Sequence, residues 1–353
     1  FYIKRARKYK YKPLSWAHTV IHENQLPTFI ELIGGRLSGI YVLKCGCGSG
    51  KTTLLFHPKT GIPRNKRILL VTHKVSFGLS IIEELRGNVL NLTFYQDVET
   101  GNVTGDVVVC QIDSLWKVKG DFDYLLLDEF PYSMGQLCDF TQTSRKDDVF
   151  DALYQRMIKT PFVIVTDALM TDGIVDWIGN NIVPSRYDAM EIYENSFPFQ
   201  ADKNFYLISE KNVWERRLFA YLDFGLRVAI PCGSSEFCEA IKTLIGNRYN
   251  DRIVKIYTSN EDIGHNPTSE WGQCDIVIYT STCESGNSFV PPHFDLVMGY
   301  FTANTFGPSS AVQMMFRARQ LKAFRMEAYI SQQYTSKYPP WVINADSIDP
   351  MLK

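Results

Sequence analysis

The sequence lacks several features that would mark other classes of protein. No apolar run approaches the roughly 20 residues that a membrane-spanning helix needs. No pair of CxxC elements offers the spacing of a zinc site. The formal net charge is only −1, so no overall field attracts a polyanion. These absences argue against a membrane protein and a zinc module, and they confine any nucleic-acid surface to a local patch.

Composition and length describe an ordinary globular protein. With 45% apolar and 21% charged residues, the chain resembles soluble proteins. Its 353 residues suit two α/β domains better than one core. The eight scattered cysteines are interpreted as reduced thiols, which predicts an intracellular, reducing compartment. Because the chain starts at Phe1, we expect a segment of a longer protein, and the lack of a signal peptide is uninformative.

The start of the chain is strongly basic. Residues 1–12, FYIKRARKYKYK, contain six cations, three tyrosines and no acid. Two interpretations stay open: a patch that contacts nucleic-acid phosphates, or a solvated tail or linker.

Short β-type apolar runs alternate with helical stretches, which predicts parallel sheets flanked by helices. A polar stretch with two prolines, residues 180–203, is predicted to be a linker. The expected organisation is a basic lead-in (1–34), a first α/β domain (35–195) and a second (196–353). The predicted strands are residues 40–43, 67–71, 107–110, 124–127, 162–165, 205–208, 227–230, 253–257, 276–279, 296–298 and 327–330.

A phosphate-binding loop is the strongest signal. The string CGCGSGKTT, residues 45–53, directly follows a predicted strand. Glycines allow a tight loop whose N–H groups cradle phosphates, Lys51 reaches the β- and γ-phosphates, and Thr52 ligates Mg²⁺. The motif's usual first glycine is Cys45 here. The predicted ATP-binding residues in this loop are Gly48, Ser49, Gly50, Lys51, Thr52 and Thr53.

An acidic pair follows a second apolar strand. In YLLLDEF, residues 124–130, four apolar residues precede Asp128 and Glu129. The carboxyl end of a parallel strand lies beside the phosphate-binding loop in such sheets. Asp128 is therefore predicted to hold Mg²⁺ through water, and Glu129 to orient and deprotonate the attacking water.

Further short motifs follow in a consistent order. They are VTHKVSF (71–77), VVCQIDSL (108–115), VTDA (165–168), AIPCGSS (229–235), IYTSTCESGNSF (278–289) and QMMFRAR (313–319). With the loop and the acidic pair, they resemble the superfamily 2 helicases. The chain is specifically similar, over about residues 37–321, to the herpesvirus-type replication origin-binding helicases of large DNA viruses and mobile elements.

The resemblance implies two tandem RecA-like domains with ATP in the cleft between them, and a helicase or translocase driven by ATP and Mg²⁺. It implies that Thr166 couples the nucleotide state to the strand and that Gly286 lies near ATP. The implied nucleic-acid contacts are His73, Lys74, Ser114, Ser234 and Thr280, and the implied catalytic residues of the second domain are Gln313, Arg317 and Arg319. For His73, a capping or packing role stays open.

The arginine motif departs from the family pattern. Phe316 stands at its usual glycine, and Arg319 follows Arg317 by two residues instead of three. The division of labour between the arginines is therefore open. We expect both to lie on a helix of the second domain and to act only when the domains close on ATP.

The motifs also indicate partners and leave alternative functions open. The expected partners are single-stranded or forked DNA and other replication proteins, in a host nucleus or cytoplasm if the source is viral. The alternatives are an RNA helicase, a packaging-type translocase, or a nucleotide-gated scaffold that binds nucleic acid without moving. Gln25 lies upstream of the loop, where some helicases read adenine, but its spacing favours a surface residue.

Overall fold

The computed structural model of the chain contains two compact units. It describes residues 3–5, 14–23, 26, 28–46, 49, 51, 61–63, 65–73, 75–85, 91–99, 101–138, 145–168, 170–186, 188–197, 202–258, 267–283, 289–302 and 308–331. Lys12–Phe199 form one unit, the N-terminal domain. The other, the C-terminal domain, combines Phe1–Tyr11 with Gln200–Lys353. The expected boundary at residues 195–196 thus lies four residues before the observed one, and the expected lead-in is divided between the two domains.

The N-terminal domain is built on an eight-stranded sheet of order β2-β9-β3-β8-β7-β4-β6-β5, with every described pair parallel. Its central strands read as continuous apolar runs because both faces are covered. The strands are β2 (Thr19–Ile21), β3 (Gly39–Cys45), β4 (Ile68–Thr72), β5 (Leu92–Phe94), β6 (Val107–Gln111), β7 (Tyr124–Asp128), β8 (Phe162–Asp167) and β9 (Met190–Asn195).

Helices cover this sheet with their apolar faces. In Lys146–Lys159, for example, Val149, Leu153 and Met157 are buried at helical spacing. The α-helices described are Phe29–Ile33, Val75–Leu85, Phe130–Cys138, Lys146–Lys159, Asp172–Asn181 and Val183–Arg186, and 3₁₀ turns lie at Tyr95–Asp97 and Ile112–Lys117.

The C-terminal domain has a seven-stranded sheet of order β1-β10-β15-β14-β11-β13-β12. Only β1 is antiparallel to its neighbour among the described pairs. The strands are β1 (Ile3–Arg5), β10 (Asn204–Ile208), β11 (Val228–Pro231), β12 (Val254–Tyr257), β13 (Ile276–Tyr279), β14 (Leu296–Thr302) and β15 (Arg325–Ser331). The helices are Lys211–Asp223, Ser235–Arg248 and Pro308–Met315, with 3₁₀ turns at Pro267–Gln273 and Ser281–Cys283.

Every strand predicted from an apolar run is present within a residue or two at its start. The predicted linker 180–203 is wrong in part, because it contains the end of one helix, another helix and β9. Strand β9 was missed since its sequence, MEIYEN, is largely polar, yet it pairs with β3 along six residues. No helix in the described part of the chain is long and apolar enough to cross a membrane. The six cysteines whose side chains are described, Cys45, Cys110, Cys232, Cys238, Cys274 and Cys283, are buried.

Candidate functional site

The phosphate-binding loop begins where β3 ends. The Lys51 ammonium donates to the carbonyls of Cys45, at 2.9 Å, and Gly46, at 3.4 Å. Ser49 is 7% exposed, and its hydroxyl has no hydrogen-bond partner within the described residues. Burial raises the pKa of the Cys45 thiol to about 11, so this cysteine is neutral at pH 7. Of the residues predicted here, Gly48, Gly50, Thr52 and Thr53 lie outside the described residues.

A buried ionic cluster supports the base of this loop. The ammonium of Lys44, next to Cys45, lies 2.5 Å from Glu194, which is fully buried on β9. The same carboxylate accepts a hydrogen bond from the Leu14 amide at 3.2 Å and faces His18 Nε2 at 3.1 Å. Sequence reasoning missed this cluster, although a lone lysine inside an apolar strand is a signal that it needs a buried partner.

The acidic pair lies two strands away from the loop strand, at the same carboxyl edge. Strand β8 separates β3 from β7, and Thr166 on β8 is in register with Asp128. Asp128 is 8% exposed, and its Oδ1 accepts hydrogen bonds from the Thr166 hydroxyl and, at 3.0 Å, from the Glu129 amide. The motifs that contain Asp128 and Thr166 are therefore joined by a direct hydrogen bond between these two side chains.

The donor set suits ATP and Mg²⁺. The buried Ser49 hydroxyl, which has no hydrogen-bond partner among the described residues, the Lys51 ammonium and the Asp128 carboxylate are groups of the kind that bind phosphates and a hard cation. No group of three or more His, Cys, Asp and Glu side chains that could hold a metal occurs in the described part of the chain. Mg²⁺ is usually held by one or two carboxylates with water and substrate phosphates, so the single carboxylate of Asp128 fits this cation.

Glu129 has an unusual backbone conformation. Its φ is +50°, in the left-handed region that non-glycine residues rarely occupy, at a typical cost of about 1–3 kcal/mol. Its carbonyl accepts the amide of Tyr132 at 3.0 Å, at the start of the helix Phe130–Cys138. Its carboxylate Oε2 lies 3.4 Å from His73 Nδ1. Strained backbone of this kind concentrates at functional sites.

The predicted nucleic-acid contacts of this domain occupy different environments. His73 is only 5% exposed, and its ring faces Glu129 and stacks on Tyr132. Ser114 is partly exposed in the 3₁₀ turn Ile112–Lys117, after the carboxyl end of β6. Lys74 lies outside the described residues.

In the C-terminal domain, Ser234 and Thr280 each follow the carboxyl end of a strand. Ser234 follows β11 and is the N-cap of the helix Ser235–Arg248, where its hydroxyl accepts the Phe237 amide at 3.4 Å. Thr280 follows β13, is 6% exposed, and its hydroxyl lies 3.0 Å from that of Thr282. Because β11 and β13 are parallel neighbours, both residues lie at one edge of this sheet. Gly286 lies outside the described residues.

The prediction that both arginines lie on a helix is wrong. The helix Pro308–Met315 ends before them, and only Gln313, 3% exposed, lies on it. Beyond Met315 the backbone pairs with another segment instead: Ala318 forms a bridge with Phe289, whose amide donates to the Arg317 carbonyl at 2.8 Å. Arg317 is 6% exposed and its Nε donates to the Gln313 carbonyl at 3.2 Å, whereas Arg319 is partly exposed.

Comparisons with known proteins agree with this architecture. The sequence model of the family described as "Origin of replication binding protein" matches residues 17–182 and 199–347. The chain is 26% identical over 318 residues to the replication origin-binding protein of human herpesvirus 6B, covering 85% of this chain and 39% of that protein. It is 24% identical over 307 residues to a putative helicase/primase complex protein of African swine fever virus, covering 80% and 28%. The chain thus spans well under half the length of these relatives.

Solved helicase structures share the fold. The S. cerevisiae protein Dbp5 bound to RNA and ADP BeF3 matches with a TM-score of 0.61 and 11% identity, covering 87% of this chain and 84% of that one. The helicase Lhr of Mycobacterium smegmatis, bound to ssDNA and AMP-PNP, matches with a TM-score of 0.54 and 14% identity, covering 85% and 44%. At these identities the likeness concerns the fold: two parallel-strand sheets with flanking helices, as in tandem RecA-like domains.

Proposed function

The chain belongs to the family of origin of replication binding proteins, and on that premise we propose that it is an ATP-dependent motor that acts on DNA as a helicase or translocase in replication. Its relatives carry names that refer to replication origins and to a helicase/primase complex. We further propose that it works in an intracellular, reducing compartment, a host nucleus or cytoplasm if its source is viral.

One observation carries the proposal. The carboxyl edge of a single parallel sheet holds Lys51 after β3, and Asp128 and Glu129 at the end of β7. Thr166, on the strand between them, bonds directly to Asp128. Ligand sites of open parallel sheets lie at this edge, and phosphoryl transfer needs these groups together.

The roles follow from the chemistry of each side chain. We assign the phosphates of ATP to Lys51, Ser49 and the loop around them, with Gly48, Gly50, Thr52 and Thr53. Thr52 and Asp128 would hold Mg²⁺, which when bound neutralises charge on the phosphate oxygens. Glu129 orients the attacking water and accepts its proton.

The C-terminal domain contributes the remaining proposed catalytic groups. Arg317 and Arg319 would stabilise charge that develops on the γ-phosphate, Gln313 would assist them, and Gly286 would lie near the nucleotide. Within this domain, the Tyr279 hydroxyl, at the end of β13, donates to the Met314 carbonyl at 2.8 Å, which joins the strand before Thr280 to the helix that carries Gln313.

Nucleic-acid backbone contacts are proposed for both domains. Lys74 and Ser114 would contact nucleic-acid phosphates in the first domain and Thr280 in the second, so that each domain binds the backbone by itself. Ser234 remains a candidate, although capping already engages its hydroxyl. The ring of His73 is buried, so it is not proposed as a phosphate contact.

The test is a steady-state ATPase assay with purified protein, alone and with a single-stranded oligonucleotide. We expect the oligonucleotide to stimulate ATP hydrolysis by the parent, and we expect Lys51→Ala to abolish hydrolysis. Parallel DNA and RNA oligonucleotides of the same sequence distinguish a DNA motor from an RNA helicase. A nucleotide-gated scaffold would bind ATP and the strand without strand-stimulated hydrolysis, and that result would overturn the proposal.

A further inference from the structure

His73 and Glu129 form a buried contact between two of the sequence motifs. His73 follows the end of β4 and Glu129 follows the end of β7, the neighbouring strand. The Nδ1 to Oε2 distance is 3.4 Å, with side-chain exposures of 5% and 15%. The imidazole also stacks on Tyr132, with ring centroids 5.2 Å apart and planes at 27°. The proposed water-activating carboxylate therefore rests against a fixed ring.

The order of the strands determines on which side of β7 the Glu129 carboxylate is held. Strand β7 has β8 on one flank and β4 on the other, and β3, which carries the phosphate-binding loop, lies beyond β8. A contact with His73 on the β4 flank therefore draws the Glu129 carboxylate away from the loop strand. The left-handed backbone of Glu129 persists only where surrounding contacts hold it, and His73 is one such contact.

Hydrogen bonds connect this contact to the motif at residues 108–115. Gln111 Nε2 donates to the His73 carbonyl at 3.2 Å and lies 3.5 Å from the Asp113 carboxylate. The same Asp113 oxygen accepts a hydrogen bond from Gln136, on the helix that follows the acidic pair. Asp113 precedes the proposed strand contact Ser114. Nucleic acid bound at Ser114 would therefore act on hydrogen bonds that reach both the His73 backbone and the helix that follows Glu129.

We infer that His73 is a positioning residue: it holds Glu129 in a resting position, and nucleic acid bound at residues 71–77 and 108–115 releases it. This inference rests on the proposed function and adds the means by which a strand raises turnover. The contact stabilises the resting position of Glu129, so it lowers the ATPase rate without nucleic acid. If binding of nucleic acid must break the contact, the contact lowers the affinity for nucleic acid as well, because release of Glu129 and binding are linked equilibria.

Three substitutions test the inference. His73→Phe keeps a ring to stack on Tyr132 but removes the nitrogen. His73→Asn removes the ring but keeps an N–H donor close to the position of Nδ1. His22→Phe makes the same chemical change at an exposed histidine of the same domain, remote in sequence from every motif. For each protein, kcat and KM for ATP are measured without nucleic acid and with a thymidine oligonucleotide, and nucleotide-free affinity for that oligonucleotide is measured by fluorescence anisotropy.

For His73→Phe we expect the strand-free kcat to rise roughly two- to fivefold, the factor that corresponds to the loss of one weak polar contact, with KM unchanged. Strand affinity should rise by a similar factor. His73→Asn should return both quantities toward the parent, and His22→Phe should match the parent. If His73 instead contacts phosphate itself, His73→Phe will weaken strand binding, which overturns the inference.

A double-mutant cycle in the binding assay needs no catalytic activity. Glu129→Gln weakens the other end of the contact and should also tighten strand binding, and the double variant should gain little beyond either single one. Additive effects would overturn the inference. A parent without strand-stimulated ATPase would overturn the proposed function and this inference together. If nucleic acid stimulates the ATPase of the parent, but the kcat of His73→Phe without nucleic acid is unchanged or lower, the inference alone is overturned.

Discussion

The hydroxyl of Thr166, on β8, donates a hydrogen bond to Oδ1 of Asp128 at the end of β7. Both residues are buried, so the bond is shielded from water. It fixes the carboxylate that we propose to hold Mg²⁺, and partners of metal ligands of this kind typically change metal affinity 10–100-fold when they are lost.

Thr166→Val should therefore raise the Mg²⁺ concentration needed for half-maximal ATPase by roughly 10–100-fold, because the hydroxyl that orients Asp128 is gone. Thr166→Ser should retain the parent's Mg²⁺ requirement. Thr160→Val, a change at another buried threonine of the same domain, controls for the loss of a buried hydroxyl. An unchanged Mg²⁺ titration for Thr166→Val would refute the orienting role.

The arginine prediction separates binding from hydrolysis. Arg317→Ala should bind ATP almost normally, yet lose roughly 10³ to 10⁵ in rate and most strand stimulation, because its cation stabilises charge that develops on the γ-phosphate. Arg317→Lys keeps the charge without the planar fork and tests whether geometry matters. Arg319→Ala should show a smaller effect. Nucleotide affinity and ATPase rate are measured side by side, and parental turnover in both alanine variants would contradict the assignment.

The basic start calls for a charge substitution and not a truncation. Ile3–Arg5 form β1, which pairs with β10, so removing residues 1–12 would also remove an edge strand. Changing Arg7, Lys8, Lys10 and Lys12 to Gln preserves β1. If these cations contact phosphates, the slope of log affinity against log salt falls by roughly 0.7 to 0.9 per contact, with basal ATPase unchanged. Lys242→Gln, on a helix of the C-terminal domain, is the control, and an unchanged slope supports a solvated tail.

A pH prediction concerns Glu327, which is fully buried on β15. Burial opposes its ionisation, but hydrogen bonds from Arg217, Tyr221 and Arg325 outweigh burial and hold the pKa of Glu327 below its ordinary value. The folded state thus binds this proton less readily than the unfolded state. The resulting stabilisation is present above the unfolded pKa, roughly 4.3, and is lost as pH falls through the lowered pKa of the folded state.

Glu327→Gln should lower the free energy of unfolding at pH 7 by about 1.5–3 kcal/mol, because it removes the charge-assisted hydrogen bonds that the partly exposed Arg217 and Arg325 donate. It should also remove part of the acid dependence that the parent shows below about pH 4.3. Urea unfolding across this pH range measures both effects, with the exposed Glu236→Gln as the control. Equal acid dependence in parent and Glu327→Gln would contradict the account.

Much of the fold follows from the sequence, for identifiable reasons. Buried parallel strands such as β4 and β7 are nearly pure apolar runs, so they stand out against amphipathic helices. Strand β9 does not stand out, because it contains two glutamates. One of them, Glu194, is buried in an ion pair with Lys44 that forms only in the folded sheet, so the sequence alone does not indicate it. Strand β1 was hidden by its charges, since pairing with β10 is a long-range contact.

The candidate site was predictable where one motif determines one geometry. The phosphate-binding loop and the acidic pair follow strand ends, so their shared edge could be deduced. The contact of His73 with Glu129 could not, because it depends on which strands are neighbours. The end of the helix at Met315 depends in the same way on a distant bridge, between Phe289 and Ala318.

The most direct test of the central claim is the rate of ATP hydrolysis by the parent and by Lys51→Ala, each with and without single-stranded DNA. Lys51 supplies the ammonium of the phosphate-binding loop, so its loss should abolish hydrolysis while leaving the fold intact. The account predicts hydrolysis by the parent that rises when DNA is added and none by the variant. Equal hydrolysis by both proteins, or a parental rate that DNA does not change, would contradict it.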